Sequence, residues 1–417
     1  MGTIHIHGGI PLQGAIKIQG SKNAALPIMA ATLLVSGKCL LKGCPRIADV
    51  FYMQKLLESL GCVTRWEGDA IAIEPVNICM GEMPADAVKG MRSSLTLLGA
   101  LLGRCGKAAL EYPGGCVIGK RPIDMHIKAL KQMNVCFGEN DSMLYAWSKK
   151  LQGGRITLEC ASVGATENII LAGVLAKGKT EIQGAAKEPE VVALCDFLKA
   201  CGAQIEGAGT EQICIEGVEK LYGAEYEIPK DRIAAGTYVL ACMAAGGEIL
   251  LKNAPVKEMD ALLDITEQMG AFIQKSRQEI YMQAPKRPKA VSKVQTAVYP
   301  GFPTDLQSPL LSVLAVADGS SEVKENIFEN RFRIVPDLVN MGAKVQQVDA
   351  RTVHIEGQER LKGAVVTARE LRGGAALVIA GLSAQGETGI KDTIYIDRGY
   401  VNICRDLREL GARIYSV

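Results

Sequence analysis

Residues 164–183 read GATENIILAGVLAKGKTEIQ, and the order of residue types in this stretch recurs along the chain. Small and apolar residues dominate positions 164–176, Gly178 follows, and a short strand-like run occupies positions 180–183. A helix that is apolar most of the way round belongs inside a core. The stretch therefore predicts a buried helix, a glycine turn and a strand.

Five further copies of this pattern are present, so the chain is a repeat of one unit. The copies begin at Lys22-Asn23, Arg92-Ser93, Gly164-Ala165, Ala234-Ala235, Leu306-Gln307 and Arg372-Gly373. A second helix in each copy ends at a small residue, and these residues are spaced by about 70 positions: Gly61, Asn134, Gly202, Gly270, Gly342 and Gly411. Glycine is the expected residue at such a helix end because it adopts the left-handed conformation at low steric cost. We predict six units, each with two helices and several strands.

Two sets of three units fit the usual size of a domain, which is roughly 200 residues here. The sixth copy is cut short, and the opening strands of the chain can supply its missing half. We therefore predict one domain from residues 21–229 and another from residues 1–20 plus 230–417. Two connections between the domains are typical of a body that closes over ligands bound between them.

Composition excludes several classes of protein. The 417 residues include 47 basic and 45 acidic ones, so the net charge of +2 argues against a nucleic-acid-binding protein. The 13 cysteines form no Cys-x-x-Cys pair and the 4 histidines are scattered, which fits no zinc template. Many unpaired thiols predict a reducing, cytoplasmic location, and the longest apolar runs are too short to span a bilayer.

Most cysteines, such as Cys195, Cys214 and Cys242, lie inside apolar runs and are predicted to be small core residues, but one stands apart from the rest. Cys116 lies in YPGGCVIGKRP (residues 112–122), where three glycines and two prolines cannot propagate a helix or a central strand. Lys120 and Arg121 follow closely, and cationic neighbours favour the reactive thiolate. We predict a mobile surface loop with a reactive thiol, against the alternative of a glycine-rich turn that holds an inert cysteine.

Charged or capping residues open most of the buried helices. They are Lys22 with Asn23, Arg92 with Ser93, Ser162, Asp305, and Glu370 with Arg372. Helix N-termini favour anions, so a common cleft would bind a polyanion. The alternatives are that Ser162 and Asp305 are simple N-caps and that Arg92 and Arg372 are surface groups. Arg331 and Arg398 are further candidate cations, although Arg398 could instead form an ion pair within its own turn that caps the final helix.

No nucleotide-binding fingerprint or Walker loop occurs, and no set of carboxylates forms a metal cage. The residues alone thus indicate a cytoplasmic two-lobed enzyme that binds an anionic substrate through Lys and Arg and uses a loop thiol, without a metal.

Several longer motifs resemble one known family over the full length of the chain. They are Gly20-Ser21-Lys22-Asn23-Ala24-Ala25, Pro113-Gly114-Gly115-Cys116, Arg121-Pro122-Ile123-Asp124, Ser162-Val163-Gly164-Ala165-Thr166-Glu167-Asn168, Pro303-Thr304-Asp305-Leu306-Gln307, Glu325 to Arg331, and Ile396-Asp397-Arg398-Gly399-Tyr400. The chain resembles the UDP-N-acetylglucosamine enolpyruvyl transferases (UDP-N-acetylglucosamine 1-carboxyvinyltransferases). The resemblance implies an α/β fold of two inverted α/β barrels, each built from three βαβαββ units in a pseudo-threefold arrangement.

The resemblance also implies the reaction. The enolpyruvyl group of phosphoenolpyruvate moves to the 3′-hydroxyl of UDP-N-acetylglucosamine by addition and elimination, and phosphate is released. The implied reaction is the first committed step of peptidoglycan synthesis. Cys116 is the implied general acid, which could also form a covalent adduct with phosphoenolpyruvate, and Asp305 is the implied general base. Fosfomycin is the implied inhibitor. No cofactor, metal, nucleic acid, membrane or obligate protein partner is implied.

Contacts to the two substrates are carried over by the same resemblance. Catalytic or phosphoenolpyruvate-binding roles fall on Lys22, Arg121 and Arg398, with Arg92, Arg331 and Arg372 around them. Sugar-nucleotide contacts fall on Asn23, Arg92, Arg121, Pro122, Ile123, Asp124, Met125, Ser162, Val163, Gly164, Asp305 and Ile327. Glu370 stands where the family often has Asp, which puts a proton-transfer role for it in doubt.

Two rival functions stay open at this point. The shikimate-pathway enolpyruvyl transferase shares the implied fold and donor, but it does not use a thiol in the loop of Cys116. A non-catalytic anion-binding repeat protein is the rival from another class.

Overall fold

The computed structural model describes residues 2–78, 92–111, 123–140 and 143–417. Its chain forms two compact units. The internal unit contains the described residues of 20–229, and the terminal unit contains residues 2–19 and 230–417. The predicted location of a ligand cleft between two domains stays a prediction.

The elements are numbered along the chain. The terminal unit begins with the strands β1 (Thr3–His7) and β2 (Leu12–Lys17). The internal unit has the strands β3 (Val35–Ser36), β4 (Cys39–Lys42), β5 (Cys62–Glu67), β6 (Ala70–Pro75), β7 (Lys107–Glu111), β8 (Cys136–Glu139), β9 (Met143–Trp147), β10 (Arg155–Thr157), β11 (Lys179–Gln183), β12 (Gln204–Glu206), β13 (Gln212–Glu216), β14 (Leu221–Tyr222) and β15 (Glu225–Glu227). Its helices are α1 (Lys22–Ala31), α2 (Ala48–Ser59), α3 (Leu97–Cys105), α4 (Asp124–Lys131), α5 (Val163–Gly173) and α6 (Pro189–Ala200), with 3₁₀ helices at Thr32–Leu34 and Arg92–Thr96.

The rest of the terminal unit follows the same plan. Its strands are β16 (Gly247–Lys252), β17 (Phe272–Lys275), β18 (Glu279–Gln283), β19 (Lys293–Gln295), β20 (Ser320–Lys324), β21 (Lys344–Asp349), β22 (Thr352–Glu356), β23 (Leu361–Lys362), β24 (Val365–Thr367), β25 (Ala384–Gln385), β26 (Glu387–Lys391) and β27 (Arg413–Ser416). Its helices are α7 (Arg232–Ala245), α8 (Asp260–Gln268), α9 (Gln307–Leu314), α10 (Val335–Asn340), α11 (Leu371–Ser383) and α12 (Ile403–Glu409), with 3₁₀ helices at Val256–Glu258, Thr304–Leu306 and Thr393–Arg398.

The described residues form three larger sheets in each unit. The strand orders are β15-β4-β6-β5, β7-β9-β8 and β10-β11-β13-β12 in the internal unit, and β17-β18-β16-β2, β19-β20-β22-β21 and β24-β26-β1-β27 in the terminal unit. In every four-stranded sheet, one parallel pair adjoins two antiparallel pairs. The repetition of one sheet plan matches the repeat seen in the sequence.

Among the helices that the structure describes, three in each unit are buried on nearly all sides. They are α1, α3 and α5 in the internal unit and α7, α9 and α11 in the terminal unit. Helices α7, α9 and α11 pack against one another, and α3 packs against both α1 and α5. Their small residues permit this close approach: a Cβ on Gly99 of α3 would lie 2.4 Å from the carbonyl oxygen of Asn168 on α5.

Strand β1 completes the sheet of the sixth repeat. Ile6 of β1 is opposite Thr388 of β26 on one side and Ile414 of β27 on the other. Strand β2 pairs instead with β16 of the fourth repeat. Strands β1 and β2 thus belong to sheets whose other strands come from the C-terminal half of the chain.

The six predicted helix ends are confirmed as left-handed. Their φ angles are 99° at Gly61, 63° at Asn134, 102° at Gly202, 99° at Gly270, 90° at Gly342 and 87° at Gly411. Asn134 is the one position of the six without glycine, and asparagine is among the residues that tolerate this conformation best.

The described cysteines are mostly core residues, as predicted. Cys195 and Cys242 are buried, but the prediction for Cys214 is wrong because this residue of β13 is partly exposed. Cys136 and Cys160 are exposed. Within the described ranges, no helix is both long and apolar enough to cross a membrane.

Candidate active site

The carboxylate of Asp305 is bonded by two arginines in the terminal unit. Arg331 donates from Nη2 to Oδ1 at 2.8 Å, and Arg372 donates from Nη2 to Oδ2 at 3.1 Å. Both arginine side chains are almost fully buried, whereas about a quarter of the Asp305 side chain is exposed. The structure therefore brings three of the predicted site residues together and leaves the carboxylate accessible.

A buried network behind Arg372 fixes its guanidinium. Its Nη1 donates to the hydroxyl of Tyr400 at 3.4 Å, and this hydroxyl lies 2.8 Å from Oγ1 of Thr237 on α7. Burial alone would lower the pKa of Arg372, but the negative charge of Asp305 and the contact with Tyr400 raise it overall. The guanidinium thus stays charged, and the alternative that Arg372 is a surface group is wrong.

Glu370 caps the N-terminus of α11. Its carboxylate accepts hydrogen bonds from the backbone N–H groups of Arg372 and Gly373, so it is the N-cap of that helix. One oxygen also lies 3.9 Å from Nη1 of Arg331. A carboxylate in this position stabilises the helix N-terminus and adds negative charge beside the arginines.

One of the three suggested helix caps is confirmed and two are wrong. Ser162 is the N-cap of α5, since its Oγ accepts from the N–H of Ala165 at 3.4 Å. Asp305 lies inside the 3₁₀ helix Thr304–Leu306, whose N-cap is Pro303, so the interpretation of Asp305 as a simple N-cap is wrong. The final helix is capped by Asn402, so the suggested capping by the turn of Arg398 is also wrong.

Lys22 opens α1 in the internal unit and forms a buried ion pair. Its Nζ lies 2.7 Å from Oδ2 of Asp49 on α2, and Asp49 is fully buried. The sequence offered no signal for this partner because Asp49 lies 27 positions later and outside the quoted motifs. The ammonium is therefore held in one place by a carboxylate.

A second polar cluster surrounds the start of α5. Asn168 donates to the carbonyl oxygens of Gly164 and Leu95, and its Nδ2 lies 2.9 Å from Nδ1 of His126. Its Oδ1 accepts from the N–H of Gly99 at 2.6 Å. A Cβ at position 164 would lie 3.0 Å from Cε1 of His126, so only glycine fits there without moving the ring.

The remaining predicted residues fall into two groups. Asn23, Ile123, Met125, Val163, Ile327 and Arg398 are partly buried, and Asp124 is exposed. Cys116, Arg121 and Pro122 lie outside the described residues, and Arg92 begins the 3₁₀ helix Arg92–Thr96 without a described side chain. Sequence reasoning missed Asp49, His126 and Tyr400 as supporting residues, although Tyr400 lies inside a quoted motif.

The whole chain can be compared with a family model and with known proteins. The model for EPSP synthase (3-phosphoshikimate 1-carboxyvinyltransferase) matches residues 6–407. UDP-N-acetylglucosamine 1-carboxyvinyltransferase 2 of Caldanaerobacter subterraneus subsp. tengcongensis is 44% identical over 417 residues and is covered completely, as is this chain. The chain belongs to the enolpyruvyl transferase family. The predicted family and the predicted class of enzyme, a transferase, are confirmed.

Further relatives place this enolpyruvyl transferase in the same group. The UDP-N-acetylglucosamine 1-carboxyvinyltransferase of Oleidesulfovibrio alaskensis is 43% identical over 418 residues, with full coverage of both chains. The enzyme of the same name from Lawsonia intracellularis is 43% identical over 414 residues, with 99% of each chain covered.

Solved structures of lower sequence identity share the fold. The enolpyruvyl transferase NikO from Streptomyces tendae has a TM-score of 0.90 at 24% identity and covers all of this chain and 99% of its own. EPSP synthase from Acinetobacter baumannii has a TM-score of 0.76 at 19% identity, with both chains fully covered. The predicted α/β fold of the enolpyruvyl transferase is therefore confirmed.

Proposed function

We propose that this enolpyruvyl transferase moves the enolpyruvyl group of phosphoenolpyruvate to the 3′-hydroxyl of UDP-N-acetylglucosamine and releases phosphate. The observation that carries the proposal is the full-length similarity, at up to 44% identity, to enzymes named for that acceptor. The arrangement around Asp305 supports it, because a carboxylate and several fixed cations are what this chemistry requires. The step would commit the sugar nucleotide to peptidoglycan.

Asp305 is proposed as the general base for the sugar hydroxyl. A carboxylate has about four acceptor positions, and the bonds from Arg331 and Arg372 occupy one on each oxygen. About a quarter of the Asp305 side chain is exposed, so a substrate hydroxyl can reach the carboxylate. The two guanidinium groups stabilise the negative charge of the carboxylate and hold it in one orientation.

Fixed cations are proposed to hold the donor. Phosphoenolpyruvate carries a phosphate and a carboxylate, and the reaction builds up charge on the leaving phosphate. Lys22, Arg92, Arg121 and Arg398 are the proposed contacts, while Arg331 and Arg372 already contact Asp305. Sugar-nucleotide contacts are proposed for Asn23, Pro122, Ile123, Asp124, Met125, Ser162, Val163, Gly164 and Ile327.

Cys116 is proposed as the acid that delivers a proton to the methylene carbon of phosphoenolpyruvate, or as a nucleophile that forms a covalent adduct with it. Neither role needs a cofactor, and the sequence contains no nucleotide-binding fingerprint and no Walker loop. We also propose a cytoplasmic location, which the described free cysteines support because unpaired thiols persist in reducing compartments.

Phosphate release from phosphoenolpyruvate tests the proposal. We expect release with UDP-N-acetylglucosamine and none with 3-phosphoshikimate, the acceptor named in the description of the matching family model. Mass spectrometry should find an enolpyruvyl group on the sugar nucleotide. Phosphate release with 3-phosphoshikimate but not with UDP-N-acetylglucosamine would favour the shikimate-pathway function. Phosphate release with neither acceptor would contradict both functions.

A further inference from the structure

Glu325 carries a carboxylate that is completely buried in the terminal unit. It follows strand β20, and its Oε1 accepts from Oγ1 of Thr296 at 2.9 Å. The same oxygen accepts from the backbone N–H groups of Ile327 at 2.8 Å and Phe328 at 3.1 Å. Its Oε2 accepts from Oγ1 of Thr304 at 3.0 Å. One side chain therefore receives four hydrogen bonds from three separate segments.

No Lys, Arg or His side chain forms an ion pair with this carboxylate in the part of the chain that the structure describes. The guanidinium of Arg351 donates to the backbone oxygen of Glu325 at 3.5 Å, and the backbone carbonyl of Arg351 accepts from the N–H of Glu325 at 2.7 Å. Placing a carboxylate in a core without a cation is costly, so the four donors have to be present and well aligned. Such a group fixes the geometry of the segments that supply its donors.

Two of these segments carry proposed substrate contacts. Thr304 directly precedes Asp305, and Ile327 is itself a proposed contact to the sugar nucleotide. Arg331 adds a second link, because it donates to the carbonyl oxygen of Thr304 and to the carboxylate of Asp305. Glu325 thus ties the backbone of the proposed general base to the backbone of the proposed nucleotide contact.

We propose that Glu325 is a positioning residue that sets the distance between Asp305 and the turn of Ile327 and Phe328. It does not touch the substrate. It keeps the carboxylate of Asp305 in register with the 3′-hydroxyl when the nucleotide part of the same molecule lies against Ile327. This role rests on the proposed function, and it adds a residue that determines how well the acceptor is aligned.

Three variants and one control test the role by steady-state kinetics. In Glu325→Leu all four donors lose their acceptor, so the segment of Asp305 should shift. We expect kcat to fall by about 10²-fold, which is the cost of misplacing a catalytic group by about 1 Å. The KM for UDP-N-acetylglucosamine should rise at least about fivefold and the KM for phosphoenolpyruvate should change by less than about twofold, since only the acceptor side is displaced. Glu325→Gln keeps an acceptor for three donors and offers an amide to Thr304, so it should retain most of the activity.

Thr304→Val distinguishes the bond that Glu325 makes to the segment of Asp305 from the bonds that it makes to the turn of Ile327 and Phe328. It removes only the bond to the segment of Asp305, so kcat should fall while the KM for UDP-N-acetylglucosamine stays close to that of the wild type. Ser312→Ala is the control, because the hydroxyl of Ser312 on α9 makes its buried hydrogen bond to the carbonyl of Ala376 and not to Glu325 or its donors. It should lower the melting temperature and leave both kinetic constants unchanged.

Normal kinetic constants in Glu325→Leu would overturn the proposal, as would equal rises in the KM values of both substrates. If Glu325→Leu does not fold, Thr304→Val decides: an unchanged kcat in that variant overturns the role. An inactive wild-type enzyme would contradict the proposed function itself. An active wild type with unaffected variants would contradict only the role of Glu325.

Discussion

The ammonium of Lys22 and the carboxylate of Asp49 form a buried ion pair, with 2.7 Å between Nζ and Oδ2. The pair joins the start of α1 to α2 in the internal unit. A proposed contact to phosphoenolpyruvate is thereby kept in place by a carboxylate of the protein, which also offsets the charge of the ammonium where little water has access.

Asp49→Asn should lower the free energy of unfolding by about 3–5 kcal/mol, because one buried charge loses its counter-charge. The double variant Lys22→Met/Asp49→Asn should recover a large part of the loss, since no charge is then left behind. Urea unfolding of the three proteins measures both effects. Glu67→Gln is the matched control: it breaks the exposed pair with Lys38 and should cost less than about 1 kcal/mol. Equal losses in Asp49→Asn and the control would contradict this account.

Asp305→Asn should lower turnover by about 10² or more, because the amide keeps the shape of the side chain and cannot accept the proton of the sugar hydroxyl. Binding of UDP-N-acetylglucosamine, measured by calorimetry, should change much less than turnover. Asp318→Asn alters an exposed carboxylate of the same unit, paired with Arg287, and should leave turnover unchanged. Near-normal turnover in Asp305→Asn would exclude Asp305 as the base.

Gly164→Ala should weaken the sugar-nucleotide side of the site. The new Cβ would lie 3.0 Å from Cε1 of His126, whose ring is held by Asn168, so the ring or the start of α5 must move. We expect a loss of about 1–3 kcal/mol in stability, as for other overpacked sites, and a higher KM for UDP-N-acetylglucosamine. Gly154→Ala is the control, since its Cβ would meet its nearest neighbour at an ordinary 3.7 Å. Identical behaviour of the two variants would refute the steric argument.

Stability should depend on pH through Glu167. Burial, together with the nearby Glu190 and Glu188, raises the pKa of this carboxyl well above its ordinary 4.5. The folded state therefore holds the proton more tightly than the unfolded state. The stability contributed by the protonated group is complete below about pH 4.5 and is lost as pH rises through the folded pKa.

Glu167→Gln mimics the protonated carboxyl at every pH. Its free energy of unfolding should exceed that of the wild type at pH 8, and the difference should shrink toward pH 4 by at most about 1.4 kcal/mol per pH unit. Glu159→Gln, which removes an exposed carboxylate of the same unit, is the control variant. A difference between Glu167→Gln and the wild type that stays constant with pH would rule out the proposed titration.

Thiol labelling should distinguish cysteines that are merely exposed from the proposed catalytic cysteine. Iodoacetamide should modify Cys136 and Cys160, which are exposed, together with Cys116 of the predicted surface loop. Buried thiols should react slowly, because burial raises the pKa of Cys44 and of Cys195 to about 12. Fosfomycin, by contrast, should modify only Cys116, and more quickly with UDP-N-acetylglucosamine present. Peptide mass mapping identifies the modified residues.

Activity of the Cys116 variants completes this test. Cys116→Ala should lose most of its turnover, whereas Cys116→Asp still offers a protonatable acid and should keep activity while escaping fosfomycin. Cys136→Ala and Cys160→Ala serve as controls with unchanged turnover. Full activity in Cys116→Ala, or fosfomycin found mainly on another cysteine, would overturn the assignment.

The repeat could be predicted from the sequence because helix ends and buried helices impose local constraints on residue type. Glycine at the left-handed positions and small residues in α1, α5 and α11 can be recognised in the sequence without knowledge of what they pack against. The pairing of Lys22 with Asp49 and of Asp305 with Arg331 depends on how distant elements pack, and residue type alone does not specify it. Glu370 and Ser162 looked alike as helix-opening residues, and only their hydrogen bonds identify both as caps.

Strand β1 lies between β26 and β27, and this has a consequence for the order of folding during synthesis. Its partners follow it by roughly 400 residues, and a ribosome adds about 5–20 residues per second. The first strand to be made must therefore wait roughly 20–80 s for its neighbours. The described strands of the internal unit find all their partners within residues 35–227, so this unit can fold first on the ribosome. The nascent enzyme thus carries an unpaired N-terminal strand, open to chaperones or to another chain, for most of its translation.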